Sequence, residues 1–270
     1  MHHASMCVNV KHFRYCKYSR RIAQTPWLID GERVGGDTSV QELLVEPVEK
    51  AIKCDGIRFL SSGREDLDVR MLGEGRPFAL TLLNPRKSKL NSEFLQLLES
   101  DINASTSDVK IQELQEITRY QLTILKQGEE HKTKTYAALC YCPKGISREC
   151  LEKISNIGKE PFSIDQKTPL RVLHRRCPAV RKRTILSMGA LWVDEKYFQL
   201  RLTTQAGTYI KEFVHGDLGR TRPSIMDLLE KEVDIIELDV ECVDLLWPPP
   251  AIEVEEDATI DEAEMESDSD

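Results

Sequence analysis

Long hydrophobic runs are missing from this sequence of 270 residues. A membrane-spanning helix needs about 20 mostly apolar residues in succession, and no stretch here approaches that length. The N-terminal residues also lack the apolar segment of a secretory signal peptide. We therefore expect an intracellular protein with no membrane association.

Cysteine pairs of the C-x-x-C type are absent as well. Without a signal peptide, the eight cysteines are typical of reduced thiols buried as small hydrophobic residues. Cys140 and Cys142 are separated by one residue in a strand-like segment. We interpret them as core residues, with a metal site as the less favoured alternative.

Basic residues are missing from the last twenty positions, which carry ten acidic side chains. This tail accounts for the net charge of −8, because the first 250 residues contain 37 basic and 35 acidic side chains. The tail follows the stiff segment WPPP, so residues 250–270 are predicted to be a disordered acidic extension.

Acidic residues are in turn absent from residues 167–183, KTPLRVLHRRCPAVRKR, which carry seven Lys and Arg side chains. A solvated face is the ordinary explanation for such a run. Seven like charges in 17 strand-like residues also suit a polyanion, and RNA or DNA is the commonest candidate. The charge pattern therefore favours a nucleic-acid partner.

The chain alternates helix-like and strand-like segments without a clear repeat, which predicts an α+β fold on a mixed, mostly antiparallel sheet flanked by helices. The predicted helices are 38–54 with a kink at Pro47, 91–100, 113–128, 147–155 and 208–218. The predicted strands are 76–83, 108–112, 129–142, 170–176, 180–188, 197–204 and 233–247.

Residues 61–77, SSGREDLDVRMLGEGRP, join two apolar runs and carry three glycines, three arginines and four acidic residues. A solvated connection is the ordinary interpretation, since Gly supplies unusual backbone angles and charges face water. The segment also contains two closely spaced carboxylates, Asp66 and Asp68, which point to opposite faces if the backbone is extended.

Two further segments combine charge with an aromatic residue. Lys134 precedes Tyr136 at the head of a strand-like segment, KTYAALC. Residues 203–220, TTQAGTYIKEFVHGDLGR, read as a strand that ends at Gly207 and a helix that bears Lys211.

Together with DQKTPLRVLHRR at 165–176, these segments resemble pseudouridine synthases of class ten, the archaeal and eukaryotic family that modifies uridines 54 and 55 of the tRNA T-arm. The resemblance runs from about Thr25 to about Pro249. The segments KTY and GTYIK…DLG also resemble the TruB branch of these enzymes, which has GTYIR…DLG. The fold implied is the pseudouridine-synthase core.

The resemblance implies roles for individual residues. Asp66 takes the place of the catalytic nucleophile, with Asp68 as its rival. Tyr136 takes the place of the tyrosine that stacks on the target base. Lys211 stands where TruB-like enzymes have the arginine that pairs with the nucleophile, and Ile210 resembles the apolar wall of the pocket. Tyr136 as an ordinary core aromatic is the structural alternative.

RNA contacts are also implied by the resemblance. They are expected at Arg64, Arg171, His174, Arg175 and Arg176, and the glycines of 61–77 are expected to let backbone approach the RNA. The family reaction uses no cofactor and no metal. The expected partner is the tRNA T-arm, with other RNAs as further candidates, and the protein is expected to be a monomer of the nucleus or cytoplasm.

The predicted organisation has three parts: 1–55 as the remnant of a THUMP-related RNA-binding region and linker, 56–249 as the catalytic domain, and 250–270 as the tail. The zinc-binding cysteine pairs of the family's N-terminal domain have no match here, so the chain is expected to be a fragment or isoform. A non-catalytic RNA-binding protein that retains the synthase fold is the alternative function. A third interpretation, an interaction module acting through the tail, has only composition behind it.

Overall fold

The computed structural model describes residues 8–11, 13–87, 90–117, 122, 125 and 132–245, with side chains from residue 14 onward. The acidic tail and most of the predicted helix 113–128 lie outside the described residues. No described helix is both long and apolar enough to cross a membrane.

The helices with described bounds are α1 (Val40–Ile52), α2 (Ser92–Ser105), α3 (Arg148–Ile157), α4 (Ile210–His215) and α5 (Ile225–Leu229). Local sequence accounts for where they begin. The Ser39 side chain caps α1 by accepting from the backbone N–H of Glu42, and Asn91 caps α2 in the same way. Helix α1 contains Pro47 and buries residues at helical spacing: Val40, Leu44, Val48 and Ile52.

The described strands are β1 (Val8–Lys11), β2 (Phe13–Lys17), β3 (Leu28–Ile29), β4 (Glu32–Arg33), β5 (Gly56–Ser61), β6 (Val69–Leu83), β7 (Val109–Gln112), β8 (Gln115–Ile117), β9 (Lys134–Tyr141), β10 (Phe162–Lys167), β11 (Val180–Trp192), β12 (Tyr197–Thr204), β13 (Thr221–Arg222) and β14 (Asp234–Val243). Strands β3 and β4 form a separate hairpin. The other twelve form one sheet, ordered β13-β10-β11-β12-β9-β14-β6-β1-β8, with β2 and β5 also paired to β6 and β7 paired to β2.

The sheet is mixed and mostly antiparallel, as the sequence predicts. Strands β14 and β6 run parallel, and the other described pairings of this sheet are antiparallel. The α+β prediction is therefore confirmed.

The two faces of the sheet differ in chemistry because neighbouring residues of a strand point to opposite sides. Ala138, Leu200 and Leu238 lie side by side on β9, β12 and β14, and all three are buried. Arg201 and Asp239, one position further along their strands, flank Ala137 on the opposite face. The apolar face carries the core.

The described part of residues 1–55 shares this sheet and core. Strand β2 pairs with β6 and β7, and Tyr15 on β2 is fully buried in the same hydrophobic cluster as Leu44 and Val48 of α1. Thus the polypeptide before residue 56 helps to build the face on which the candidate site lies.

Two predicted elements are wrong. Residues 115–117 form strand β8 rather than the start of a helix, because they pair with β1, which no local pattern reveals. Residues 170–176 are not a strand: Leu170–Val172 form one 3₁₀ turn, which follows Pro169. Proline cannot donate to a strand ladder, and this segment is a connection between β10 and β11.

Candidate active site

A buried ion pair supports the loop between β5 and β6, residues 62–68. Arg76 Nε lies 2.7 Å from Glu65 Oε2, and both side chains are at most 1% exposed. Burial alone lowers the pKa of Arg76, but the Glu65 carboxylate outweighs burial and raises it. Because separating a buried pair leaves an uncompensated charge, this pair strongly favours one conformation of the loop.

Tyr15 and Gln24 complete this network. The Tyr15 hydroxyl donates to Glu65 Oε1 at 2.7 Å, and Gln24 Nε2 donates to the Tyr15 oxygen at 2.7 Å and to the Gly63 carbonyl at 3.0 Å. Burial raises the pKa of Tyr15 well above its ordinary value, so this hydroxyl keeps its proton. The side chains of Tyr15, Gln24, Glu65 and Arg76 thereby fix the loop just before Asp66.

Gly63 lets two cationic side chains come close to the loop backbone. Its φ is +88°, and a Cβ at this position would lie 2.9 Å from Lys134 Nζ and 3.1 Å from Arg76 Nη1. Any other residue would meet both a strained backbone and these two cations. Gly63 therefore has a packing role within the loop, and the expectation that this glycine lets backbone approach RNA stays a prediction.

Lys17 fixes the backbone of Asp66 itself. This fully buried side chain donates to the carbonyl oxygens of Ile22 at 2.9 Å, Asp66 at 3.3 Å and Leu67 at 2.7 Å. Burial lowers the pKa of Lys17 to about 8, against the pull of nearby carboxylates. The Asp66 side chain remains 37% exposed, so it can reach a ligand from a rigid backbone.

Two cations contact the Asp66 carboxylate. Arg171 Nη1 lies 3.0 Å from Oδ2 and 3.3 Å from Oδ1, and Lys211 Nζ lies 3.5 Å from Oδ2. Lys211 also donates to both oxygens of Asp68, at 2.9 and 2.8 Å. Partial burial raises the pKa of Asp68, but the Lys211 ammonium outweighs burial and leaves this pKa below its ordinary value.

A buried glutamine places Lys211 and Ile210 at the start of α4. Gln166 Nε2 donates to the Tyr209 carbonyl at 2.9 Å, and Gln166 Oε1 accepts from the Tyr209 N–H at 2.9 Å. This pair of bonds joins β10 to the turn before α4. Ile210 is 4% exposed and belongs to the core cluster, so its role as a pocket wall stays a prediction.

Tyr136 lies on β9 two residues after Lys134, on the same side of the strand. It is half-buried and packs against the core cluster. Burial raises its pKa to about 12, and the Arg76 guanidinium opposes this rise. The phenol is therefore neutral and lies near the buried pair that supports the Asp66 loop.

The other predicted RNA-contacting residues divide into two groups. His174, Arg175 and Arg176 are exposed on the connection between β10 and β11. Arg64 is exposed and donates to Thr25 Oγ1 at 2.9 Å. Arg171 differs from all of these, because it turns inward to Asp66.

Several site residues escaped the sequence-based reasoning. Arg171 was assigned to the phosphate-facing run, and its contact with Asp66 joins residues 105 positions apart. Lys17 and Gln24 lie outside the motif segments, and the buried Glu212 lies within residues 203–220 but was assigned no role. A single signal was available for Glu212: it is a carboxylate next to Lys211 on the apolar face of a short helix.

Comparison with known proteins gives consistent matches over most of the chain. The family described as "Pus10, C-terminal" matches residues 12–244. The Homo sapiens protein named "tRNA pseudouridine synthase Pus10" is 51% identical over 236 residues, which are 87% of this chain and 44% of that protein. The Pyrococcus furiosus protein of the same name is 38% identical over 227 residues, covering 84% of this chain and 55% of that protein.

The chain spans about half the length of the curated relatives it matches. Among solved structures, the one titled "Crystal Structure of a Cbf5-Nop10-Gar1 Complex" aligns with a TM-score of 0.44 at 13% identity, over 85% of this chain and 48% of that chain.

Proposed function

The chain belongs to the Pus10 C-terminal family, and from this we propose that it is a tRNA pseudouridine synthase. We further propose that it acts on the T-arm loop, at uridine 54, uridine 55 or both, with Asp66 as nucleophile. The proposal includes tRNA as the partner, with other RNAs as further substrates, no cofactor, and a monomeric protein of the nucleus or cytoplasm.

One observation carries the mechanistic part: Asp66 is a partly exposed carboxylate on a rigid backbone with two cations within 3.5 Å. The ionised carboxylate is the form that attacks, and the two cations hold the Asp66 side chain in place. Asp68 is 60% exposed, and among the described residues its side chain pairs with Lys211 alone. Asp66 is therefore the better placed of the two.

The reaction is an isomerisation and needs no other reactant. The carboxylate attacks the ribose or the uracil ring, and the glycosidic bond between N1 and C1′ breaks. The base turns, C5 bonds to C1′ of the same ribose, the proton on C5 leaves, and N1 gains a proton. Asp66 is regenerated when its bond to the intermediate breaks.

The target base must leave the RNA stack to reach a carboxylate at a protein surface. Tyr136 and Ile210 supply an aromatic ring and an apolar wall of the kind that holds an extruded base. The proposed phosphate contacts are the exposed side chains of Arg64, His174, Arg175 and Arg176. In this proposal, those residues set affinity and Asp66 does the chemistry.

The test is to incubate the full chain with T-arm transcripts and map pseudouridine at each position. Transcripts with cytidine at 54 or at 55 identify the position that is modified, and the Asp66→Asn protein is the matched control. We expect product from the wild-type protein and none from the variant. RNA binding by both proteins without any product would overturn the proposal in favour of a non-catalytic RNA-binding protein.

A further inference from the structure

The strongest unassigned feature of the molecule is the chain of contacts from Asp66 through Arg171 to the buried Glu212. We infer that Glu212 is a positioning residue: it holds the Arg171 guanidinium against Asp66, so that Arg171 rather than Lys211 is the principal counter-ion of the nucleophile. This inference rests on the proposed function of Asp66.

The geometry uses two different edges of one guanidinium. Glu212 Oε1 accepts from Arg171 Nε at 2.7 Å, and Arg171 Nη1 lies 3.0 Å from Asp66 Oδ2. The planar guanidinium presents its donors in a fixed arrangement, so a bond at Nε determines where Nη1 points. The bond to Glu212 therefore determines how the Arg171 guanidinium is oriented toward Asp66.

Burial makes this contact hard to release. The Glu212 side chain is 2% exposed, and its second oxygen has no hydrogen-bond partner among the described residues. A buried charge without a partner is strongly unfavourable. Glu212 thus depends on Arg171 for its compensation, and Arg171 cannot swing out toward solvent without leaving that carboxylate unpaired.

The backbone and aromatic neighbours of Arg171 restrict it further. The Leu170 N–H donates to Asp217 Oδ2 at 3.2 Å, and Val172 is 2% exposed, so both flanking residues are anchored. The Arg171 Cζ lies 5.9 Å from the centre of the Tyr209 ring, within the range of a cation–π contact. The exposed Arg175 and Arg176 bear no side-chain contact of this kind in the described residues.

The position of Lys211 explains why a second cation is needed. Its ammonium donates to both oxygens of Asp68 and stands 3.5 Å from Asp66, beyond the usual length of a strong charge-assisted bond. Arg171 makes the shorter contact with Asp66. Glu212 therefore secures the closer of the two cations.

The experiment compares Glu212→Gln, Arg171→Gln and the double variant in single-turnover assays on a T-arm transcript at saturating protein. We expect Glu212→Gln to slow the reaction about tenfold while the RNA dissociation constant stays within about twofold, because the lost interaction orients a group rather than binding phosphate. The double variant should react at the rate of Arg171→Gln alone, because Glu212 acts through Arg171.

A matched control is available on the opposite face of the sheet. Arg201 Nε contacts Glu241 Oε2 at 2.7 Å, the same kind of pair at an exposed position. Glu241→Gln should leave the rate unchanged. A wild-type rate in Glu212→Gln, or rate losses that multiply in the double variant, would overturn the inference.

A second measurement does not depend on activity. In ¹⁵N spectra, the Arg171 Nε–H signal, assigned by its loss in Arg171→Lys, should exchange slowly with water in the wild type and at least about tenfold faster in Glu212→Ala. Equal exchange rates of this proton in both proteins would contradict the inference that Glu212 holds Arg171. If the wild type makes no pseudouridine but this signal exchanges as expected, the proposed function is wrong, whereas the contact by which Glu212 holds Arg171 is confirmed.

Discussion

Lys211 lies closer to Asp68 than to Asp66: its Nζ is 2.8 Å from Oδ2 of the first carboxylate and 3.5 Å from Oδ2 of the second. Both carboxylates therefore share one lysine, and Asp66 has Arg171 in addition. Among the described residues, Asp66 therefore has two neighbouring cations and Asp68 has one, although the two residues are only two positions apart on the same loop.

Replacing each carboxylate by its amide should distinguish their roles. Asp66→Asn keeps the shape of the side chain and removes the proposed nucleophile, so we expect no isomerisation with RNA binding roughly intact. Asp68→Asn should retain measurable activity, because its loss frees Lys211 to move toward Asp66. Single-turnover product formation and circular dichroism of both variants provide the measurement. Activity that survives in Asp66→Asn and disappears in Asp68→Asn would reverse the assignment.

Lys211 can be tested by changing its charge and then its shape. We expect Lys211→Met to slow the reaction at neutral pH, since it removes a cation that both carboxylates contact. Lys211→Arg should keep more activity, although a planar guanidinium fits a site shaped for an ammonium less well. The check is the pH–rate profile of the three proteins under single-turnover conditions. Identical profiles for the wild type and Lys211→Met would remove this residue from the mechanism.

Tyr136 is expected to contribute mainly through its ring. Tyr136→Phe keeps the ring and should bind RNA nearly as well as the wild type, with a slower reaction only if the hydroxyl moves a proton. Tyr136→Ala should lose about 1–3 kcal/mol of base stacking. Because Tyr136 also packs against the core, thermal unfolding of both variants must accompany the binding assay. Wild-type behaviour of Tyr136→Ala would make it an ordinary core aromatic.

The exposed basic connection should contribute nonspecific affinity. We expect the double variant Arg175→Gln/Arg176→Gln to weaken binding of unrelated RNAs about equally. Each lost phosphate contact should reduce the slope of log K against log salt by somewhat under about one unit. The matched control is Lys50→Gln/Arg58→Gln, which removes two exposed charges from α1 and β5. A slope equal to that of the control would identify the connection as a solvated face.

The lowered pKa of Lys17 predicts that the stability of the fold depends on pH. Its pKa is lowered to about 8 from 10.5 in the folded protein, so between these values the unfolded chain binds more protons. Stability therefore rises with pH in this window, by at most about 1.4 kcal/mol per pH unit. Urea unfolding of the wild type and Lys17→Met from pH 7 to 10.5 should show the wild type gaining on the variant. A constant difference would mean that Lys17 titrates normally in the fold.

Local sequence was sufficient for much of the secondary structure and for part of the candidate site. Periodicity predicted α1, and β12 has the bounds that its alternating pattern gives. The motif segments identified Asp66, Tyr136 and Lys211, because each lies in a short stretch of characteristic residues. Such features depend on neighbours within a few positions, which a sequence displays directly.

Contacts between distant segments could not be predicted in this way. Residues 61–77 carry both arginines and acids, yet of Arg70 and Arg76 only Arg76 pairs within this segment, with Glu65, whereas Arg70 pairs with Asp239 on β14. A charged side chain pairs with whichever opposite charge the fold brings near it. The composition of a segment therefore gives its net charge but does not predict its ion pairs.

Sequence alone thus indicated the α+β class, the loop that carries the proposed nucleophile Asp66, and the lysine that contacts it. The tertiary structure decided that Arg171, whose side chain is 39% exposed, contacts both Asp66 and the buried Glu212. The physical reason is burial: a carboxylate that is 2% exposed requires a cation, and only the packing of α4 against the turn at Leu170–Val172 determines which cation reaches it.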